Sequence, residues 1–404
     1  MNGALKGVRI LDLTAVIAGP LGTRTLAEYG ADVIKVEGPG GDLVRASSPR
    51  RNQQMGALFL NLNRNKRVIS LDLKSPAAMD VMRRLIASAD VLAHNMRPDA
   101  LKRAGLDYEA CKAINPKLIH AGIIGFGRGG RYRDRPAYDD LIQATSGFAS
   151  LSSRNGGAPT YVPMNMVDRL TGVTAVHAIL AALFYRERTG HGQAVEIPMF
   201  ENLIEFMLGD HMSGHLFDPP VAPMGNVRAL SANRRPYPTS DGALCVLPGT
   251  DKHWKSLFEV SGLAAKYGDD PRFNSAAARA HHIEEELDLL ANTLTTKTTA
   301  EWLELLTKAD IPCGPVVALE ELYDDPHLQD VEFFGSYDHP SEGKMKIPRP
   351  AVWMSETPPK VGNLAPPLGA DTRAVLADCG YSTSEIDALL EKGVVYAAKQ
   401  AQAK

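Results

Sequence analysis

The sequence is short of cysteine. Its 404 residues contain 4, at positions 111, 245, 313 and 379, all far apart. That spacing excludes a disulfide framework and a cysteine metal site, and it reads as buried thiols of a reducing compartment. Charge of one sign is also lacking. The formal net charge is −3, the basic residues are scattered, and no aromatic-studded basic stripe marks a nucleic-acid groove. The opening Met-Asn-Gly-Ala-Leu-Lys-Gly-Val-Arg has no apolar core of the signal-peptide kind, and no apolar run reads as long enough to span a membrane. These absences predict a cytoplasmic protein with no membrane or nucleic-acid partner. What remains is ordinary globular composition, 44% hydrophobic and 23% charged, in a chain long enough for two domains.

Short apolar runs punctuate the first 125 residues. Val8–Leu13, Ala31–Val36, Val68–Lys74, Asp90–His94 and Lys117–Ile124 read as buried strands, with helical stretches between them. Pro20 suits a first helical turn and Gly30 a helix stop, and Ser75-Pro76 reads as a cap and first helical residue. Alternating strands and helices predict a mostly parallel, doubly wound α/β sheet, with ligands at the carboxyl ends of its strands. The loops carrying Asn95-Met-Arg97 and Gly125–Gly129 are then expected on one cleft. The first turn, Ala-Val-Ile-Ala-Gly-Pro-Leu-Gly, lacks the spaced glycines of a dinucleotide fingerprint, and Glu37-Gly-Pro-Gly-Gly-Asp42 lacks the Lys-Ser/Thr ending of a phosphate loop. Nicotinamide and flavin cofactors are not expected, nor is a metal.

The proline-rich stretch 218–223 marks a linker. Beyond it, residues 225–325 read as a smaller α+β domain, with a strand at Ala243–Leu247 and a capping box from Thr298 to Glu301. Residues 347–367 form a long irregular return, followed by short helices near 370–378 and 383–391. The predicted division is 1–217 and 331–404 for the large domain, and 218–330 for linker and small domain.

One stretch carries chemistry. Residues 161–172 lead into a helical pattern through Leu170, Val173, Val176, Leu180 and Leu183, which closes at Arg186, Arg188 and Gly190. Asp168 falls at or near its N-cap. Partial positive charge at a helix N-terminus predicts an ionised carboxylate, and such a group is a nucleophile toward an activated acyl carbon. Aspartate is also among the commonest helix caps, and on this stretch alone a structural role is the plainer reading. His177, farther along the same pattern, reads as a packing or satisfied histidine.

Several segments together resemble the family III CoA transferases, the group of formyl-CoA transferase and the carnitine CoA-transferases. They include Gly30–Glu37, Asn65-Lys-Arg67, Leu71-Asp-Leu-Lys74, Arg97-Pro98, Ile124–Gly127, Tyr138-Asp139, Thr189–Gln193, Ile311–Pro315 and Leu368-Gly. The resemblance implies a Rossmann-like large domain built from both chain ends, a small domain, and a homodimer of interlocked subunits. It implies acyl-CoA and a free carboxylic acid as substrates, with Asp168, in Asp168-Arg-Leu-Thr-Gly172, as nucleophile through aspartyl anhydride and aspartyl-CoA intermediates. Val16, Ala18, Leu71, Asp72, Lys74, Asn95, Met96, Arg97, Arg103 and Tyr138 match CoA-side positions. Gly38 and Pro136 stand where relatives carry basic residues, and Arg135 is the candidate substitute for the second. Asp139 matches a cleft position, or caps a helix start.

Two questions stay open in the sequence. The guanidinium groups of Arg234 and Arg235 suit a remote carboxylate, which suggests a dicarboxylic acid with succinyl-CoA as donor; surface charge is an equal reading. An α-methylacyl-CoA racemase of the same fold is the alternative. Racemase relatives place a histidine where this chain has Tyr138, and a phenol is a poor base near neutrality.

Overall fold

The computed structural model describes residues 3–398. The chain forms two compact units. One gathers the chain up to Ser146, Tyr161–Glu205 and the chain from Asp330 onward; the other is Gly147–Thr160 with Phe206–Gln329. Composition put the boundary at 217–218. The structure instead gives 206–217 and the excursion 147–160 to the second unit, because prolines mark where regular structure stops and not where packing changes partner.

In chain order the first unit begins with β1 (Arg9–Leu13), α1 (Ala18–Glu28), β2 (Asp32–Glu37), α2 (Ala57–Leu62), β3 (Lys66–Leu71), α3 (Ala78–Ala87) and β4 (Val91–His94). It continues with α4 (Pro98–Arg103), α5 (Tyr108–Ile114), β5 (Ile119–Ile124), α6 (Asp139–Thr145), α7 (Met166–Thr189), β6 (Ala194–Pro198) and the start of α8 (Met199–His211). The second unit holds α9 (Val227–Leu230), β7 (Tyr237–Pro238), β8 (Ala243–Val246) and α10 (Asp251–Val260). It also holds α11 (Ala264–Tyr267), α12 (Ala276–His281), α13 (Ile283–Leu294), α14 (Thr299–Lys308) and β9 (Cys313–Pro315). After α15 (Pro326–Asp330), the first unit is completed by β10 (Phe334–His339), β11 (Gly343–Pro348), α16 (Thr372–Asp378), α17 (Thr383–Glu391) and β12 (Val395–Tyr396).

Seven strands form the main sheet in the order β12-β3-β2-β1-β4-β5-β6. All neighbours are parallel except β12, which runs antiparallel to β3 with Val395 opposite Leu71. The period of two along each strand sends alternate residues to opposite faces. On β1, Leu11 and Leu13 join α3, α16 and α17 in one core, while Ile10 packs with α1 and α7 in the other. Each fully buried Leu, Ile or Val contributes roughly 1.5–3 kcal/mol, so both layers are held by their apolar stripes. The C-terminal residues Val375, Leu376, Ile386, Val394 and Val395 lie in the first of these cores, which makes the fold α/β, doubly wound, and built from both chain ends.

Several details depart from the sequence reading. β3 ends at Leu71, so Asp72–Lys74 lie in a turn, and α3 is capped at Ala77 rather than Ser75. α1 starts at Ala18, two residues before Pro20. α7, at 24 residues, is by length and composition apolar enough to cross a membrane. Here its buried residues Ala175, Ile179, Ala182 and Leu183 form part of the core against α1 and the sheet. His177 is exposed on α7 and is no packing residue.

The polar members of the early motifs are structural staples. Asn65 donates to the Lys360 carbonyl at 2.7 Å and accepts from Gly362 N–H at 2.6 Å, tying down the return segment. Lys66 pairs with Asp12 at 2.9 Å, Arg67 with Asp32 and Asp378 at 2.6 Å each, and Arg45 with Glu37 at 2.7 Å.

The second unit is a three-stranded antiparallel sheet, β7-β8-β9, packed with helices around Trp254, Leu257, Leu287, Leu290 and Trp302. The capping box of Thr298 and Glu301 opens α14 as the sequence pattern predicts.

Candidate active site

A cleft of about 290 Å³ opens in the first unit at the carboxyl ends of β1, β4 and β5. Its walls come from three strand-to-helix loops: Ala15–Ala18, Asn95–Pro98, and Ile124-Gly125 with Arg133–Tyr138. Asp168 lies among them. This is where the strand order reverses direction, β2-β1-β4, the crevice that parallel sheets offer to ligands. Gly125 lets the last wall form, since a Cβ there would sit 2.2 Å from the Cβ of Ala137.

The first wall rests on buried charge. Val16 has φ +72°, a left-handed conformation that is costly for a β-branched residue. Asp42 accepts from its N–H, at 3.2 and 3.3 Å to the two carboxylate oxygens. Lys35 in turn holds Asp42 at 2.9 Å and the Thr14 carbonyl at 2.8 Å. Beneath lies Asp12, fully buried, with Lys66 and the hydroxyls of Thr14 and Thr23 as partners. Burial works against its charge, yet Lys66 and Lys35 hold its carboxyl well below the ordinary range. Burial pushes Lys66 down to about 8 against the opposing pull of Asp12.

Asn95 serves the same wall. Its amide accepts from Ala15 N–H at 3.0 Å and donates to the Ala15 carbonyl at 2.9 Å. Its side chain is therefore committed to positioning the turn, and Asn95, Met96 and Arg97 together line the cleft.

Asp168 is the third residue of α7, whose cap is Asn165. It is in the first turn rather than at the cap. The Thr171-Gly172 pair explains its placement. Thr171 is buried with its hydroxyl on the Val167 carbonyl at 2.8 Å, and a Cβ at Gly172 would stand 2.7 Å from the Ala18 carbonyl. Glycine thus lets α7 press against α1, which brings Asp168 beside the first turn of α1.

The helix start does not keep the Asp168 carboxyl in the ordinary carboxylate range, contrary to the helix-terminus argument. Burial, then the neighbouring Asp139 carboxylate, push its pKa up to about 7; Arg169 opposes. Asp139 is itself buried. It does not cap its own helix; its Oδ2 accepts the Asp168 N–H at 2.9 Å, and its Oδ1 accepts from Gln143 Nε2 at 2.6 Å. Gln143 Oε1 then accepts from Val162 N–H at 3.0 Å. The sequence reading missed Gln143. Its spacing of four from Asp139 on one helix was the available signal.

The structure brings Val16, Ala18, Asn95, Met96, Arg97, Arg135, Tyr138 and Asp168 to one cleft, with Arg133 as an unforeseen cation. Arg135 stacks on Tyr132 at 3.9 Å, and the Tyr138 side chain is exposed. Leu71, Asp72, Lys74 and Arg103 do not line it. Leu71 is wholly buried in the core, Asp72 accepts from Lys74 N–H, and Lys74 and Arg103 are exposed elsewhere. Arg234 and Arg235 are exposed in the second unit and form no ion pair among the described residues. Among the described residues no group of His, Cys, Asp and Glu is placed to hold a metal ion.

Known proteins resemble this chain along nearly its whole length. A succinate–glutarate CoA-transferase of Agrobacterium fabrum is 34% identical, over 93% of this chain and 95% of that one. A succinyl-CoA:glutarate CoA-transferase of Mus musculus is 30% identical, over 97% and 90%. A formyl-CoA:oxalate CoA-transferase of a Bradyrhizobium species is 33% identical, over 98% of each. A crystal structure of a CAIB/BAIF family protein from Brucella suis superposes with a TM-score of 0.79 at 30% identity, covering 94% of this chain and all of that one. The pattern of CoA-transferase family III matches residues 5–372, and the chain belongs to that family as a CoA-transferase.

Proposed function

We propose that the enzyme moves CoA from a dicarboxylic half-thioester, with succinyl-CoA as donor, to a second carboxylic acid, through covalent chemistry at Asp168. The observation that carries this is the position of Asp168, in the first turn of α7 and facing a cleft walled by three strand-end loops.

In this reading the Asp168 carboxylate attacks the donor thioester carbon. The C–S bond breaks and CoA leaves as thiolate, giving an acyl-aspartyl anhydride. The thiolate attacks the aspartyl carbonyl, frees the donor acid and leaves an Asp168–CoA thioester. The acceptor carboxylate repeats the steps in reverse. Each intermediate conserves the activation of the thioester. Arg97, Arg133 and Arg135 at the cleft suit the phosphates of CoA. Arg234 or Arg235 would hold the remote carboxylate of the substrate.

Relatives named for succinate and for oxalate match at similar identity. The choice of succinate rests on the arginine pair Arg234 and Arg235. Arg234→Ala and Arg235→Ala should raise KM for a dicarboxylate far more than for a monocarboxylate of equal length. Equal effects would remove the dicarboxylate assignment.

We also propose an interlocked homodimer, supported by Trp353, 76% exposed on the irregular return segment, and by Val173, Phe184 and Tyr185 exposed on α7. Light scattering should give twice the chain mass. A cytoplasmic location fits the four free cysteines, and fractionation tests it.

Proton transfer at an α-carbon is the second reading. The raised proton affinity of Asp168 suits a general base. Against it, no histidine is among the residues lining the cleft. His94, beside Asn95, is buried, and burial together with His120 pushes it down to about 3. The deciding experiment incubates the protein with a panel of acyl-CoAs and free acids and reads exchange by mass. Transfer that Asp168→Asn abolishes is expected; racemisation of a 2-methylacyl-CoA without transfer would reverse the assignment.

A further inference from the structure

Asp139 and Gln143 have no part in the chemistry just described, yet both are buried; Asp139 binds the Asp168 N–H, and Gln143 holds Asp139. Gln143 is wholly inaccessible and Asp139 is 4% exposed. Three hydrogen bonds run in series from Val162 N–H through Gln143 and Asp139 to Asp168 N–H. The chain fixes the segment leading into α7 at one end and the Asp168 backbone at the other. We infer that Asp139 is a positioning residue for Asp168, fixing its backbone and repelling its carboxylate so that covalent attachment of the acyl group relieves the repulsion. This rests on Asp168 being the nucleophile.

When Asp168 attacks the thioester, its negative charge ends on the departing CoA sulfur. The anhydride, and later the aspartyl thioester, are neutral at Asp168. Asp139 therefore disfavours the free carboxylate but not either covalent intermediate, which shifts the enzyme toward its loaded forms. The direction of the Asp168 shift, set by burial and then by Asp139, agrees.

Other charges face the same group. From α7 itself, Arg169 opposes Asp139. From α1, Arg24 and Glu28 pair with each other at 3.5 Å. Arg97, Arg133, Arg135 and Tyr138 look in from the loops, and Asp140 on α6 is exposed. On the side of β5 and α8, Glu201 is bound to Gly127 N–H at 3.0 Å. Asp139 is thus the one acid that Asp168 meets at close range among the described residues.

The test labels the whole protein with a water-soluble carbodiimide and an amine across pH 4–9, and reads modification of the Asp168 peptide by mass. Only the protonated carboxyl reacts, so the midpoint reports its titration without any substrate. Asp139→Asn should lower the midpoint by about one pH unit. The double variant Asp139→Asn, Gln143→Glu restores the three hydrogen bonds and moves the charge one link away; it should recover part of the shift. In acyl exchange, Asp139→Asn should lose rate, and the double variant should regain part of it. An unchanged midpoint in Asp139→Asn overturns the inference, and so does a double variant that behaves like the single one. Failure of the nucleophile reading looks different: the midpoints move, but Asp168→Asn still exchanges acyl groups at the wild-type rate.

Discussion

Asp12 and Asp168 are both aspartates that burial should neutralise, and they lie in the same unit of the protein. They meet opposite fates. Asp12 has two lysines and two hydroxyls around it and stays ionised far below the usual range. Asp168 has another carboxylate beside it and takes up its proton near pH 7. Burial pushes both upward; at Asp12 the lysines and hydroxyls outweigh it, whereas at Asp168 it is the larger cause and Asp139 adds to it. The cationic neighbourhood builds the rigid floor beneath the Val16 turn, and the acidic one leaves a carboxyl that gains by losing its charge.

The comparison breaks first at Lys66. Lys66→Met strands a buried carboxylate and should cost about 3–5 kcal/mol in urea unfolding. A cost under about 1 kcal/mol would mean Lys35 alone suffices. Next comes the seam that joins the two regions. Gly172→Ala forces a methyl against the Ala18 carbonyl, with an expected loss of about 1–3 kcal/mol and slower exchange, because Asp168 moves away from the first turn of α1. Unchanged exchange would show that the α1–α7 approach does not place the nucleophile.

The two aspartates should also respond to pH in opposite directions. The folded-state pKa of Asp12 is depressed, so its contribution is present above its unfolded value of 3.8 and is lost on acidification. That of Asp168 is raised, so its contribution is complete below 3.8 and gone once pH passes about 7. Asp168→Asn should therefore be more stable than the parent at pH 8, by on the order of 1–2 kcal/mol after allowance for solvent, and indistinguishable near pH 3.5. Equal stability at both pH values would mean that Asp168 titrates normally. The smallest effect is expected at Asn95→Ala, about 1 kcal/mol with a higher KM for acyl-CoA, since the Ala15 turn loses its two hydrogen bonds.

What the sequence disclosed was mostly local. Strands β1 to β5 are continuous apolar runs, so they could be read directly, as could the capping box at Thr298. β6, Ala-Val-Glu-Ile-Pro, is a half-exposed strand at the sheet edge, and β12 has two residues; neither offers a pattern long enough to see. A helix start is visible locally, but what raises the Asp168 pKa is not: burial comes from the tertiary fold, and Asp139 is 29 positions away. Asn95 lines the cleft as expected, but its hold on the Ala15 turn was not legible, because Ala15 lies 80 positions earlier. Leu71 matched a motif, but the strand pairing with Val395 puts it in the core.

The most direct test of the central claim is to find the covalent intermediate. The enzyme is mixed with succinyl-CoA, quenched, digested and read by mass, with and without hydroxylamine. The account predicts CoA attached to the peptide carrying Asp168, removed by hydroxylamine and absent from Asp168→Asn. Turnover with no adduct on that peptide, or full activity in Asp168→Asn, would contradict it.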